Sequence, residues 1–210
     1  MAIPADRRDA VQPPVPAPAD ALGPPDTAAG YSVHMIRPHL RDLPAPVFPA
    51  GFGIRPMRRD EGHLWLAVER DAEQYLPIGD DTFAREFGHD LDAVPQRCFL
   101  LTGPGEAVVG TISAWYHTYR GEEYGLIHWV AVRPAFQGRG LGRAGLRCAL
   151  HELARWHTRA LLGTQTRRLP AIRLYLDHGF VPDLEDEQAV PRWRHVREKL
   201  DHPVLHRLAL

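Results

Sequence analysis

Four glycines fall within the eleven residues AFQGRGLGRAG, Ala135 to Gly145, with Arg139 and Arg143 threaded among them. Three of the glycines alternate: Gly138, Gly140 and Gly142. Such a spacing leaves one face of the backbone bare, so successive N–H groups can turn inward. A helix starting at Leu141 adds unsatisfied N–H groups and a partial positive charge. The result is an anion cradle suited to a pyrophosphate, to which the two arginines can add contacts. Gly140, Gly142 and Gly145 also spell G-x-G-x-x-G, the dinucleotide fingerprint. That motif needs its first glycine directly after a strand and an acid about 20 residues further on. Here Pro134 to Gln137 intervene, and the next strand ends in Thr164-Gln165-Thr166. No Gly-Lys-Ser/Thr follows, so the stretch is not a P-loop either. Gly145 reads instead as a helix position where a small residue permits close packing.

His128, in HWVAV just before the loop, has the side-chain type best suited to general-base work near neutral pH. It reads equally well as a core histidine bonded to a backbone carbonyl. Glu122 and Glu123 are weaker candidates, since adjacent acids in a turn are usually solvated. His151, Glu152 and His157 share a helix but do not make H-E-x-x-H, so no metal is expected. Cys98 and Cys148 fall in a strand and a helix and read as free thiols.

The elements that must position these residues follow from periodicity and punctuation. GFGIRPM is a short strand. DEGHLWLAVERDAEQYL from Asp60 is a helix stopped at Pro77, and DDTFAREFGHDL a second, shorter one. RCFLLT and AVVGTISAWYHTY form an antiparallel hairpin across GPGE, RGEEYG is the next turn, and LIHWVAV is a strand buried on both faces. LGRAGLRCALHELARWH is helical, RALLGTQT a strand, and PAIRLYLDHGF a helix with Pro170 near its start and Gly179 at its end. RWRHVREKL is expected as a final strand or edge segment. The order β-α-α-β-β-β-α-β-α-β gives an α/β (mixed α+β) sheet of six to seven strands, mostly antiparallel and flanked by helices, rather than a doubly wound fold.

About half of the 20 prolines precede Ala50. Residues 1–30, poor in aromatic and β-branched side chains, are expected to be a disordered tail. Residues 31–50 are expected to form an extended arm without regular structure, and 51–210 the folded domain. A formal charge of −1 forces no broad basic face, so neither nucleic acid nor a membrane surface is expected as a partner. No apolar run is long enough to span a bilayer and the N-terminus lacks a secretory pattern, which points to the cytoplasm.

VAVRPAFQGRGLGRAGL resembles the acetyl-CoA-binding segment of the GNAT superfamily of N-acetyltransferases: a strand ending V-x-P, then Q/R-x-x-G-x-G/A at a helix start. Downstream, AIRLYLDHGF resembles that family's A-x-x-L-Y-x-x-x-G-F helix at Ala171, Leu174, Tyr175, Gly179 and Phe180. One departure is Arg168, where many members carry Asn. The resemblance implies a sheet splayed between its fourth and fifth strands. The pantetheine arm of acetyl-CoA would lie along Val130, Ala131 and Val132. Its pyrophosphate would be held by Gln137, Gly138, Arg139, Gly140, Leu141, Gly142 and Arg143. It also implies direct attack on the thioester by a primary amine of a small molecule or peptide, in a monomer or homodimer. Tyr175 sits where many members carry the tyrosine that protonates the departing thiolate. Depriving a lysine-like amine of its proton at pH 7 costs about 4.6 kcal/mol, so a proton acceptor such as His128 is valuable. The rivals are a module that senses acyl-CoA without turnover, and a transferase using a longer acyl chain. Trp65, Tyr75, Phe83 and Phe87, on helices that wall the acceptor site in this family, and Trp115, Tyr116 and Tyr119 read either as acceptor contacts or as core.

Overall fold

A computed structural model describes residues 30–210; nearly all of the expected tail lies outside the described residues. A seven-stranded sheet runs in the order β2-β3-β4-β5-β6-β1-β7. Its strands are β1 (Ser32–Arg37), β2 (Gly53–Pro56), β3 (Cys98–Thr102), β4 (Val108–Tyr119), β5 (Glu122–Val132), β6 (Ala160–Gln165) and β7 (Val181–Pro182). The helices are α1 (Gly62–Ala72), α2 (Thr82–Phe87), α3 (Val94–Arg97), α4 (Leu141–Leu153), α5 (Leu169–Asp177), α6 (Ala189–Lys199) and α7 (Pro203–His206).

Three expectations are corrected. The arm contains an interior strand, β1, paired antiparallel to β6 over six residues and to β7. Val33, Met35 and Arg37 alternate into the interior, a period-2 pattern hidden by the surrounding prolines. The folded unit therefore begins before Gly51. Second, RWRHVREKL belongs to helix α6. Ala189, Trp193, Val196 and Leu200 recur at helical spacing and are buried, and that face outweighs the local alternation around Trp193. Third, the β4–β5 turn is only Arg120 and Gly121, both with φ > 0, and Tyr119 already pairs with Glu122. A two-residue turn of this kind matches strand twist.

The splay falls between β5 and β6. Their parallel pairing consists of Gly125–Ala160 and Leu126–Leu161, after which the two strands part. With β1 added ahead of the expected strands, this is the predicted fourth–fifth boundary. A bulge in β5 accompanies the parting: Thr111 faces Ala131 and Ser113 faces His128, one residue more on β5 than on β4. Trp129 absorbs it at φ 47, unusual for a bulky side chain. Gly145, the residue that completes the false fingerprint, lies against β3. A Cβ there would stand 3.2 Å from Leu101 Cδ2, so the glycine serves helix–sheet packing.

Candidate active site

The glycine loop leaves β5 through a short 3-10 turn, Pro134–Phe136, and enters α4. Gly138 and Gly140 adopt φ of +74 and +83, and a Cβ at either would meet nothing within 4 Å. These two glycines supply left-handed backbone that other residues adopt at a cost, and they leave open space above it. Gly142 lies inside the helix, and a Cβ there would stand 3.6 Å from Leu174 Cδ2 on α5. Among the described residues no side chain caps α4, so its leading N–H groups are available to an anion. The Gln137 amide donates to the Val132 carbonyl at 2.8 Å, tying the loop to the end of β5. Arg139 and Arg143 are exposed; Arg143 stands 3.8 Å from Asp177.

The parted strands open a cavity of about 420 Å³, within the usual range for small-molecule sites. His128 and Val130 line it from β5, Gln165 from β6, and Tyr175 from α5. Tyr175 and His128, far apart in sequence, thus share one cavity. Glu122 and Glu123 do not reach it; they pair with Arg159 at 2.8 Å and His157 at 3.0 Å. Trp65, Phe83, Phe87 and Trp115 are core residues.

Three acids that the sequence reading passed over also line the cavity: Glu69, Glu73 and Glu86. Glu86 lies 3.2 Å from His128 Nε2 and accepts from Trp129 Nε1 at 3.0 Å. Burial works to raise its pKa, but the bonds from His128 and Trp129 prevail and hold it below the usual value. One carboxylate thereby orients the histidine and secures the bulge. Glu73 is taken by Arg168, whose Nη2 reaches both oxygens at 2.8 and 2.7 Å. That accounts for the departure at Arg168, which engages a protein carboxylate.

Glu69 differs from both. It is 2% exposed, and among the described residues its Oε1 is buried with no hydrogen-bond partner. Burial, reinforced by Glu73 and opposed by Arg168, pushes its pKa up to about 8. Tyr175 is pushed up to about 12, chiefly by burial; Arg168 opposes the rise and Glu69 adds to it. A helical projection carries the signal for Glu69, which falls on the same apolar face of α1 as the buried Trp65 and Val68.

A carboxyl whose folded pKa lies above its unfolded value contributes stability that is complete below the unfolded pKa. That stability is lost as pH rises to the folded one. For Glu69 the window runs from about 4.5 to about 8. Glu69→Gln, which cannot ionise, should therefore gain on the parent across that window, by on the order of a few kcal/mol at its upper end. Thermal melts at pH 5 and pH 9 check this: the difference in Tm should shift in favour of Gln at pH 9. An equal difference at both values would contradict it.

The fold and the loop define a class. The chain belongs to the Acetyltransferase (GNAT) family, which matches residues 40–180. It is 32% identical to a mycothiol acetyltransferase of Streptomyces bingchenggensis over 68% of this chain and 47% of that protein. It is 31% identical to another from Streptomyces scabiei, over 71% and 50%. The chain thus spans about half the length of these relatives. In structure it is similar to a GCN5-related N-acetyltransferase from Sphaerobacter thermophilus, with a TM-score of 0.57 at 22% identity. That match covers 72% of this chain and 48% of the other.

Proposed function

We propose that the protein is an acetyl-CoA-dependent N-acetyltransferase acting on a primary amine of a small molecule or peptide. The observation that carries this reading is that β5, which lines a cavity holding both His128 and Tyr175, leads into a glycine-lined helix start with no side-chain cap among the described residues. Gln137 to Arg143 receive the pyrophosphate on backbone N–H groups, with Arg139 and Arg143 as flanking charges. The edge of β5 that β6 leaves unpaired beyond Leu126 takes the pantetheine arm at Val130–Val132 as an added strand, with Gln137 already on the Val132 carbonyl. The thioester then reaches the cavity, where an amine attacks it directly. His128, oriented by Glu86, takes the proton of the incoming ammonium, and Tyr175 donates toward the departing sulfur.

Steady-state thiol release with a panel of small amines and peptide N-termini tests the reading. CoA binding without turnover of any amine would favour a sensor instead. If His128 is the acceptor, His128→Ala should be about a hundredfold slower near neutrality. The deficit should shrink as pH approaches the amine's own pKa near 10, where no group is needed to neutralise it. A constant deficit across pH would leave His128 a packing residue.

A further inference from the structure

The balance of protons in this reaction leaves one movement unassigned. An ammonium nucleophile sheds two protons on becoming an amide, and the departing sulfur gains one. His128 accounts for the first, before attack. When the N–C bond forms, the nitrogen still carries one proton too many, while the breaking C–S bond leaves a thiolate in need of one. Tyr175 alone cannot complete the exchange, because after donating it must be reprotonated. Its pKa, pushed up to about 12 in the cavity, also lies above that of an ordinary thiol near 8.5. A phenol so placed gives its proton to a thiolate at equilibrium only when another acid replaces it at once.

Resting on the transferase reading above, the geometry points to Glu69 as the group that closes this circuit. It takes the second proton from the nitrogen and returns it through Tyr175 to the sulfur. Starting from the Glu69 carboxylate, which becomes the major form as pH rises past about 8, the N–H bond breaks as the Oε1–H bond forms. The tyrosine O–H then breaks as S–H forms, and the phenolate regains its proton from Glu69. Both side chains end as they began, and one proton per turnover leaves through His128.

Three observations support this. Glu69, on α1, lines the same cavity as Tyr175, on α5. Its Oε1 is buried without a partner among the described residues, an arrangement that costs stability unless something entering the cavity uses it. The neighbouring acids are already committed: Glu73 to Arg168 and Glu86 to His128 and Trp129. Among the described cavity acids, Glu69 has a buried oxygen with neither a hydrogen bond nor an ion-pair partner, whereas the second oxygen of Glu86 faces Arg85 at 3.6 Å. A carboxyl titrating near 8 is also matched to a thiol in a way that neither an ordinary carboxylate nor this phenol is.

The test uses the full chain with acetyl-CoA and the best amine of the panel, comparing the parent with Glu69→Gln and Glu69→Asp from pH 6 to 10. Glu69→Gln should bind CoA with unchanged affinity by calorimetry. Its kcat should fall by about a hundredfold or more, and it should lose the limb of the pH–rate profile near 8. Unlike that of His128→Ala, this deficit should persist toward pH 10, because the nitrogen's second proton must still be removed inside the cavity. Glu69→Asp, which restores a carboxyl on a shorter arm, should recover part of the rate. Glu69→Gln with parental kcat and an unchanged pH profile would overturn the role of Glu69 alone. A parent that turns over no amine would overturn the transferase reading and this proposal together.

Discussion

Gly140→Asp should bind CoA at least about a hundredfold more weakly than the parent while melting at nearly the same temperature. The left-handed backbone at φ +83 costs an L-residue about 1–2 kcal/mol, less for Asp than for most. Room for the side chain is not in question, since a Cβ there meets nothing within 4 Å. Gly140 is also the N-cap of α4, which among the described residues has no side-chain cap. An aspartate there can accept from a first-turn N–H, and that offsets the strain. The same bond removes the donor a phosphate would use. It also sets a like charge beside the phosphate, worth about 4 kcal/mol at 4 Å in a surface environment. Solvent and salt screen part of this, which leaves roughly two or three decades of affinity. Calorimetry with CoA and with pantetheine, which lacks the pyrophosphate, separates charge from shape: only the CoA affinity should fall. CoA affinity equal to the parent's would remove the loop from the cofactor site.

The loop could be read along the chain because its chemistry is carried by backbone. Alternating glycines before a helix put N–H groups in one place wherever the rest of the protein lies. Tyr175 was legible for a related reason, its spacing from Ala171 and Gly179 within a single helix. The acids of the cavity have no such signature. Glu86 reaches His128 across 42 positions and Glu73 reaches Arg168 across 95, distances set by how α1 and α2 pack on the sheet. Glu69 is the intermediate case. Its place beside Trp65 and Val68 marks an acid on a buried helix face, but which cavity it serves depends on the parting of β5 and β6.

The sheet shows the same division. β3 to β6 carry apolar runs bounded by turn residues, and those local signals survive folding. β1 was missed because its six residues sit between the tail and a proline-rich stretch, and its hydrogen-bonding partners are supplied by β6 and β7, far along the chain. RWRHVREKL misleads because Arg-Trp-Arg alternates over three residues, whereas the buried face of α6 emerges only across the span from Ala189 to Leu200. Short windows favour period 2; length settles the matter for period 3.6.

Tyr175→Phe should lower kcat and kcat/KM together, by about a hundred- to a thousandfold, with CoA affinity unchanged. The phenyl ring keeps its edge contact with Phe180, 5.9 Å between centroids, and the variant loses only a buried hydroxyl, so the fold should persist. A loss confined to KM would mean that the tyrosine binds rather than donates. The combination with Glu69→Gln gives the sharper result. Two groups passing one proton in series fail as a unit, so the double variant should be no slower than the slower single variant. Independent contributions would multiply, placing the double variant at least two decades lower still. Multiplied losses would leave Tyr175 as the acid but separate it from Glu69, whereas a shared floor would mean that a buried acid on α1 and a phenol on α5 handle the same proton.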